Sequence, residues 1–441
     1  MAMDLLQQLR VNTTPGADYE TDAGDLTLPE PPPVRLIAYY LPQFHPIPEN
    51  DRWWGKGFTE WTNVTKALPR YAGHYQPRLP GGLGFYDLRL PDTLYEQAAL
   101  ARRHGIFGFC IHVYWFAGHR LLERPLDVLL SHPDIDLPFC LNWANEPWSR
   151  AWDGSDRQML IEQKHSAGDD LAFARAIEPA LADPRYIRVG GRPLLMLYRP
   201  GLLPDAAATV DRWREHFSRH GFGDPYVVMP QAFGDLDPGV HGMDAAAGFP
   251  PHPHGWDLPA RNDDLVPFDP DFRGRALSYD ALAETAAMQP QPAFTLFPGV
   301  CPSWDNEARR TGRGTGFIGS SPRKYGTWLE HACRRALRAA HPDERIVFIN
   351  AWNEWAEGAY LEPDRHYGYA YLRETARRLR RLERLGEELP AGTQAAAGTV
   401  PLPPRRHPAV DPASQLRHLI RAARRRGASA VDALADVLRP D

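Results

Sequence analysis

Two carboxylates three residues apart, Glu354 and Glu357, lie in the stretch Asn350-Ala-Trp-Asn-Glu-Trp-Ala-Glu-Gly-Ala-Tyr-Leu-Glu-Pro-Asp364, interleaved with Trp352, Asn353, Trp355 and Tyr360. Acids set among indoles make a poor core, because Glu is seldom fully buried unless paired. They suit a sugar site, where aromatic faces pack on pyranose rings and carboxylates handle protons. On a helical turn, residues three apart have Cβ atoms about 5–6 Å from each other. Retaining glycosidases hold two carboxyls about 5–5.5 Å apart and inverting ones about 6.5–9.5 Å, so the spacing is compatible with the retaining arrangement. One carboxyl protonates the leaving oxygen; the other serves as nucleophile or base. Like charges that close push one pKa up, as an acid working near neutral pH requires. The competing reading is a solvated helix start, where acids offset the dipole. It explains the spacing but not the Trp-Asn-Glu-Trp-Ala-Glu-Gly surroundings.

Other residues of suitable type fall at the ends of apolar runs. They are Tyr39, Tyr40 and His45; Trp53, Trp54, Glu60 and Trp61; Tyr114 and Trp115; Asn142, Asn145, Glu146 and Trp148. Further along stand Tyr198, His252, His254 and Trp304, and Asn353, Trp355 and Glu362 flank the acid pair. All are candidates to bind substrate, the aromatics by stacking and the polar groups through sugar hydroxyls. For Trp355 the expectation is that truncation to Ala weakens activity more than stability. Pro251-His-Pro-His-Gly-Trp-Asp257 offers His252, His254 and Asp257 in a zinc-like combination, but imidazoles also hydrogen-bond sugars, and neither a metal nor a cofactor is assigned. Gly314-Thr-Gly-Phe-Ile-Gly319 matches a dinucleotide fingerprint in letters only; it follows no predicted strand and reads as a flexible loop. The D-x-D pairs Asp134–Asp136 and Asp235–Asp237 sit in turn-rich contexts, and neither G-x-S-x-G nor a P-loop is present.

The elements that must position these residues alternate. Strands are predicted at Val34–Leu41, Phe107–Trp115, Pro138–Trp143, Pro193–Tyr198, Tyr226–Pro230, Ala245–Phe249, Ala293–Phe297 and Arg345–Ile349. Amphipathic helices separate most of them, for example Pro91–His104, Asp170–Leu181, Asp205–His220 and Arg323–Ala340. Eight βα units predict an α/β fold, a (β/α)8 barrel with long aromatic loops. The alternative is an open doubly wound sheet. Polar and aromatic residues gather at the C-terminal ends of several strands, where barrels build their sites, and this favours the barrel.

Composition bounds the rest. The 441 residues carry a net charge of −5, which argues against a nucleic-acid-binding body. Cys110, Cys140, Cys301 and Cys333 are scattered and read as buried free thiols. With neither a signal-peptide pattern nor an apolar run long enough to span a bilayer, the expected location is cytoplasmic. Residues 1–33 read as a largely irregular leader, 34–389 as the barrel and 390–410 as a Pro/Ala/Gly-rich linker. Residues 411–441 read as a basic helical tail. Its segment 411–426 fits an anionic membrane surface at the inner face or a protein partner; loose packing on the barrel is the alternative.

Several long motifs now add up. Ala38-Tyr-Tyr-Leu-Pro-Gln-Phe-His45, Trp53-Trp-Gly-Lys-Gly-Phe-Thr-Glu-Trp-Thr-Asn-Val64 and Gly105–Trp115 are followed by Leu141-Asn-Trp-Ala-Asn-Glu-Pro-Trp148, Trp352–Gly358 and Leu361-Glu-Pro-Asp364. In this order, over Val34 to Leu385, the chain resembles the WbsX-like family. These are bacterial proteins with a domain like glycoside hydrolase family 99, named as glycosyltransferases of polysaccharide clusters. The resemblance implies a (β/α)8 barrel and metal-free retaining chemistry of the endo-α-mannosidase kind. By the motif Asn353–Gly358, Glu354 would deprotonate a substrate 2-hydroxyl to give an epoxide-like intermediate. Glu357 would be general acid/base at the glycosidic oxygen. Ala356 stands where family 99 hydrolases commonly carry His, and the Phe58–Trp61 insertion belongs to the WbsX side. The expected function is a retaining, endo-acting glycoside hydrolase or transglycosylase on bacterial polysaccharide or oligosaccharide. A glycosyltransferase of O-antigen, capsule or lipopolysaccharide assembly is the first alternative, and a non-catalytic glycan-binding barrel the second.

Overall fold

A computed structural model describes residues 4–24, 27–150 and 155–387. Nine parallel strand segments form a nearly closed barrel: β1 (Arg35–Tyr40), β2 (Gly108–Phe116), β3 (Phe139–Trp143), β4 (Arg192–Leu197), β5 (Tyr226–Pro230), β6 (Ala245–Ala247), β7 (Thr295–Phe297), β8 (Gly299–Val300) and β9 (Ile346–Ile349). Around the barrel the order is β7-β6-β5-β4-β3-β2-β1-β9-β8. The register at the β1–β9 step pairs Arg35 with Ile346 and Ala38 with Ile349. Seven of the predicted strands appear as single segments, and the strand predicted at Ala293–Phe297 is extended and broken at Pro298. Proline cannot donate to a ladder, so the chain pairs with β6 before it and with β9 after it. The Pro298 carbonyl still accepts from Phe348 N at 2.9 Å and bridges the gap. At this seam Gly248 and Gly299 touch; a Cβ on Gly299 would lie 2.1 Å from the Gly248 carbonyl oxygen.

The strands are apolar on both faces, as a parallel sheet between a packed interior and a helical jacket demands. Helices such as Ala167–Ala182, Ala206–Arg219, Tyr279–Met288 and Pro322–Ala336 form the jacket, and Ser166, Asp205, Ser278 and Ser321 cap their first turns by accepting backbone N–H bonds. The Gly314–Gly319 stretch corrects the expectation of a loop. Thr315–Ile318 is a strand paired in parallel with Arg275–Ser278, and Phe317 is buried beside Trp304. The leader also has structure: Leu5–Asn12 is a helix with an Asp4/Gln7 capping box. Asn12 donates to the carbonyls of His74 and Gln76, and Glu20 pairs with Arg373 and Arg377 of the last helix. The predicted linker 390–410 and tail 411–441 lie outside the described residues. Among the described residues no helix is long and apolar enough to cross a membrane. All four cysteines are free and buried.

Candidate active site

Beyond β9 the chain makes a tight hairpin rather than an α-helical turn. Asn353-Glu354 pairs antiparallel with Ala359-Tyr360 across a 3-10 turn at Trp355–Glu357. Gly358 closes the turn in the left-handed region at φ 60°, and a Cβ there would come within 2.9 Å of the Arg78 guanidinium. Asn353 fastens the hairpin to the end of β1: its Oδ1 accepts from Leu41 N at 2.8 Å and its Nδ2 donates to Leu41 O at 3.0 Å. The Trp355 indole is buried, stacks on Tyr360 at 3.8 Å between centroids, and donates to Glu362 at 2.6 Å. Glu362 also accepts from Tyr86 and Gln97, and burial pushes its carboxyl up to about 7.

This frame presents Glu354 and Glu357 to a single cation, Arg309. One terminal nitrogen of the guanidinium donates to Glu354 Oε1 at 2.7 Å and the other to Glu357 Oε1 at 2.7 Å. Glu60 Oε2 accepts from the Arg309 Nε and from a terminal nitrogen, each at 3.3 Å. The Trp304 indole donates to Glu357 Oε2 at 3.2 Å. Arg309 is buried, and its three carboxylates outweigh the cost of burial and hold its pKa above the ordinary value. Burial drives the Glu354 carboxyl well above the usual range; Arg309 opposes this, and the charges of Glu357 and Glu60 add to it. The Glu354 side chain is 9% exposed and that of Glu357 27%, so Glu357 is the more open of the pair.

Both acids face a cavity of about 790 Å³. Of the residues singled out from the sequence, Trp54, Glu60, Tyr114, Glu146, Trp148, Tyr198, His252 and Trp304 also line it. Glu146 is ion-paired with Arg199, whose guanidinium sits 3.9 Å from the Phe233 ring centroid. Sequence reasoning missed Arg309, His112 and Trp256, which line the same space. Arg309 follows Trp304 by five residues in a loop after β8, and no motif flags it. His112 lies inside an apolar strand, its Nδ1 3.3 Å from the Tyr40 carbonyl, and burial lowers its pKa to about 4.

The other expected binders lie outside the cavity lining. Tyr39 is buried and stacks on Phe348, and the Tyr40 hydroxyl donates to Gln97. His45 is buried, with its pKa lowered by burial to about 4. Trp53 packs edge-on behind Trp148, the Trp61 indole donates to the Tyr86 carbonyl, and the Trp115 indole donates to Asp169. Asn142 is buried beside His112, and Asn145 clamps the Arg199 backbone. His254 lines a smaller space of about 40 Å³, which His252 also borders. His252, with the Trp256 indole donating to its ring, and Asp257 do not converge with it into a ligand set. Asn353, Trp355 and Glu362 hold the hairpin from behind. In the D-x-D pairs, Asp134 accepts from Tyr95, Asp136 pairs with Arg102, Asp235 with His241, and Asp237 caps a 3-10 turn.

A solved structure described as a glycoside hydrolase-like protein superposes with a TM-score of 0.51 at 14% identity, covering 83% of this chain and 98% of that one. The GH99 endo-alpha-mannosidase from Bacteroides thetaiotaomicron gives 0.48 at 15%, covering 82% and 100%. The former likeness is one of fold. In sequence, the uncharacterized protein WxcX of Xanthomonas campestris pv. campestris is 50% identical over 364 residues in one strain, 82% of this chain and 52% of WxcX. In a second strain it is 49% identical over 371 residues, 84% and 52%. This chain therefore spans about half the length of the curated relatives it matches. The family described as Glycosyltransferase WbsX matches residues 36–375, and the chain belongs to that family.

Proposed function

We propose that the chain cleaves or transfers a glycosidic bond with retention, using Glu354 and Glu357 on a bacterial polysaccharide or oligosaccharide. The observation that carries this reading is the carboxylate pair on opposite ends of the Arg309 fork, at the wall of an aromatic-lined cavity. Trp54, Trp148 and Trp304 offer faces for sugar rings, and Glu60 and Glu146 offer acceptors for hydroxyls. Glu357, the more open acid, protonates the leaving oxygen and later takes a proton from water or an acceptor hydroxyl. Glu354, raised by burial, is the stronger base once its own proton is lost, which removing a proton from a sugar 2-hydroxyl demands. The hydroxyl oxygen then attacks the anomeric carbon as the leaving oxygen departs with the Glu357 proton.

A second reading, transfer from an activated sugar donor, is favoured by the family description and by the exposed Arg310 on the cavity wall beside Arg309. The two readings separate in one experiment. Surface polysaccharides are incubated with the enzyme, with and without nucleotide sugars, and reducing ends and chain length are measured. The expected outcome is cleavage without a donor, reduced about 10²–10⁴-fold by Glu357→Gln and by Glu354→Gln. Product that forms only with a nucleotide sugar establishes the second reading instead.

A further inference from the structure

We propose that the outer surface of the barrel carries a divalent-cation site, selective for an ion of the zinc type, formed by Glu178, His216 and His220. His216 and His220 stand four residues apart at the end of the helix Ala206–Arg219, on one face of it. Glu178 comes from the neighbouring helix Ala167–Ala182. One donor atom from each of the three lies within 4.8 Å of the others. None of the three lines the cavity of Glu354 and Glu357, so the site is separate from the proposed chemistry.

The arrangement goes beyond a single ion pair. His216 Nε2 and Glu178 Oε1 are 2.7 Å apart, and the His216 side chain is buried. That pair alone would need no third group. Yet the His220 ring lies 4.2 Å from the His216 ring, between centroids, at 34°. Its Nδ1 is 2.7 Å from the His216 carbonyl and can only donate there. A carbonyl bound to one ring nitrogen fixes the tautomer and leaves the other, Nε2, with a bare lone pair, as is usual for metal-binding histidines.

Two imidazoles and a carboxylate are a ligand set zinc accepts, with water in a fourth position, at about 2.0–2.2 Å from each donor. Donors on such an ion sit roughly 3.4 Å apart. Reaching that geometry requires rotation mainly of His220 and Glu178, the two more exposed members. The ion takes the place of the proton between Nε2 and Oε1 and ties the two helices at the end opposite the Asp170–Thr209 and Asp170–Arg212 bonds.

The test uses the whole chain freed of metal by chelation. Zn²⁺ is titrated against a chromophoric competitor, and Co²⁺ is followed by its visible absorption. Wild type is expected to bind one Zn²⁺ per chain, to give the absorption of a four-coordinate Co²⁺ site, and to melt at a higher temperature with Zn²⁺. His220→Ala removes an exposed ligand, and its fold is checked by circular dichroism. It is expected to bind at least about tenfold more weakly and to lose the Zn²⁺-dependent melting shift, as is Glu178→Gln. Stoichiometric binding that His220→Ala leaves unchanged, or no stoichiometric binding by wild type, overturns the proposal.

Discussion

Arg309 holds three carboxylates, two of them the pair proposed to act on the sugar. Removing one partner of a buried ionic cluster costs about 3–5 kcal/mol, because the remaining charges lose their compensation. Arg309→Met is therefore expected to lower the unfolding free energy by that order, read from urea titrations near neutral pH. It should also act on the chemistry in a definite direction. Arg309 lowers the Glu354 pKa that burial raises, so without it the acid limb of the kcat/KM profile moves to higher pH. Glu362 gives a separate pH signature. Its carboxyl is raised from 4.5 to about 7 by burial. Between those values the native chain holds a proton that the unfolded chain has lost, so this group makes stability fall as pH rises through the window. The fall is roughly 3 kcal/mol, and Glu362→Gln is expected to remove that share from a plot of unfolding free energy against pH. Residue types alone did not reveal any of this. Nothing in the letters around Arg309 distinguishes it from Arg310, which is exposed one residue later.

At the scale of elements the alternation of apolar runs with capped helices was legible, because strands buried on both faces leave a dense signal. The Pro298 break was not read as one, since the run Ala293–Phe297 looks complete before it. The acid hairpin shows the same limit: spacing of three fits an α-helical turn and a 3-10 turn alike. Only the left-handed Gly358 and the Asn353 clamp on Leu41 decide between them. Indoles were the hardest to place, because a tryptophan at a strand end can face the cavity or the jacket. Trp54, Trp148 and Trp304 line the cavity, while the N–H groups of Trp61, Trp115 and Trp355 are spent on Tyr86, Asp169 and Glu362. Trp355 reverses the expectation drawn from sequence. With 1% exposure and a stacked Tyr360, it is a core residue, and Trp355→Ala is expected to cost about 3–5 kcal/mol. Thermal and urea unfolding would both show it; a variant of unchanged stability with lost activity would restore the expectation of a substrate contact.

On the scale of the whole molecule, the barrel joins residues more than 300 positions apart, Arg35–Ala38 and Ile346–Ile349. The leader docks on the last helix through Glu20, and β1 lies between β2 and β9. Partners at such separation could be foreseen from eight repeating βα units, since a barrel must close on its first strand, but the register could not. The pairing of Arg35 with Ile346 has a consequence for synthesis. The ribosome releases β1 roughly 310 residues before its second neighbour exists, a delay of about 15–60 s at roughly 5–20 residues per second. Throughout that interval one edge of an apolar strand stays open, a template for unwanted pairing. Nascent chains arrested before residue 346 are therefore expected to be cut readily by protease and to engage chaperones. Chains arrested far enough past Ile349 for β9 to clear the exit tunnel should resist digestion, because only then can the ring shut.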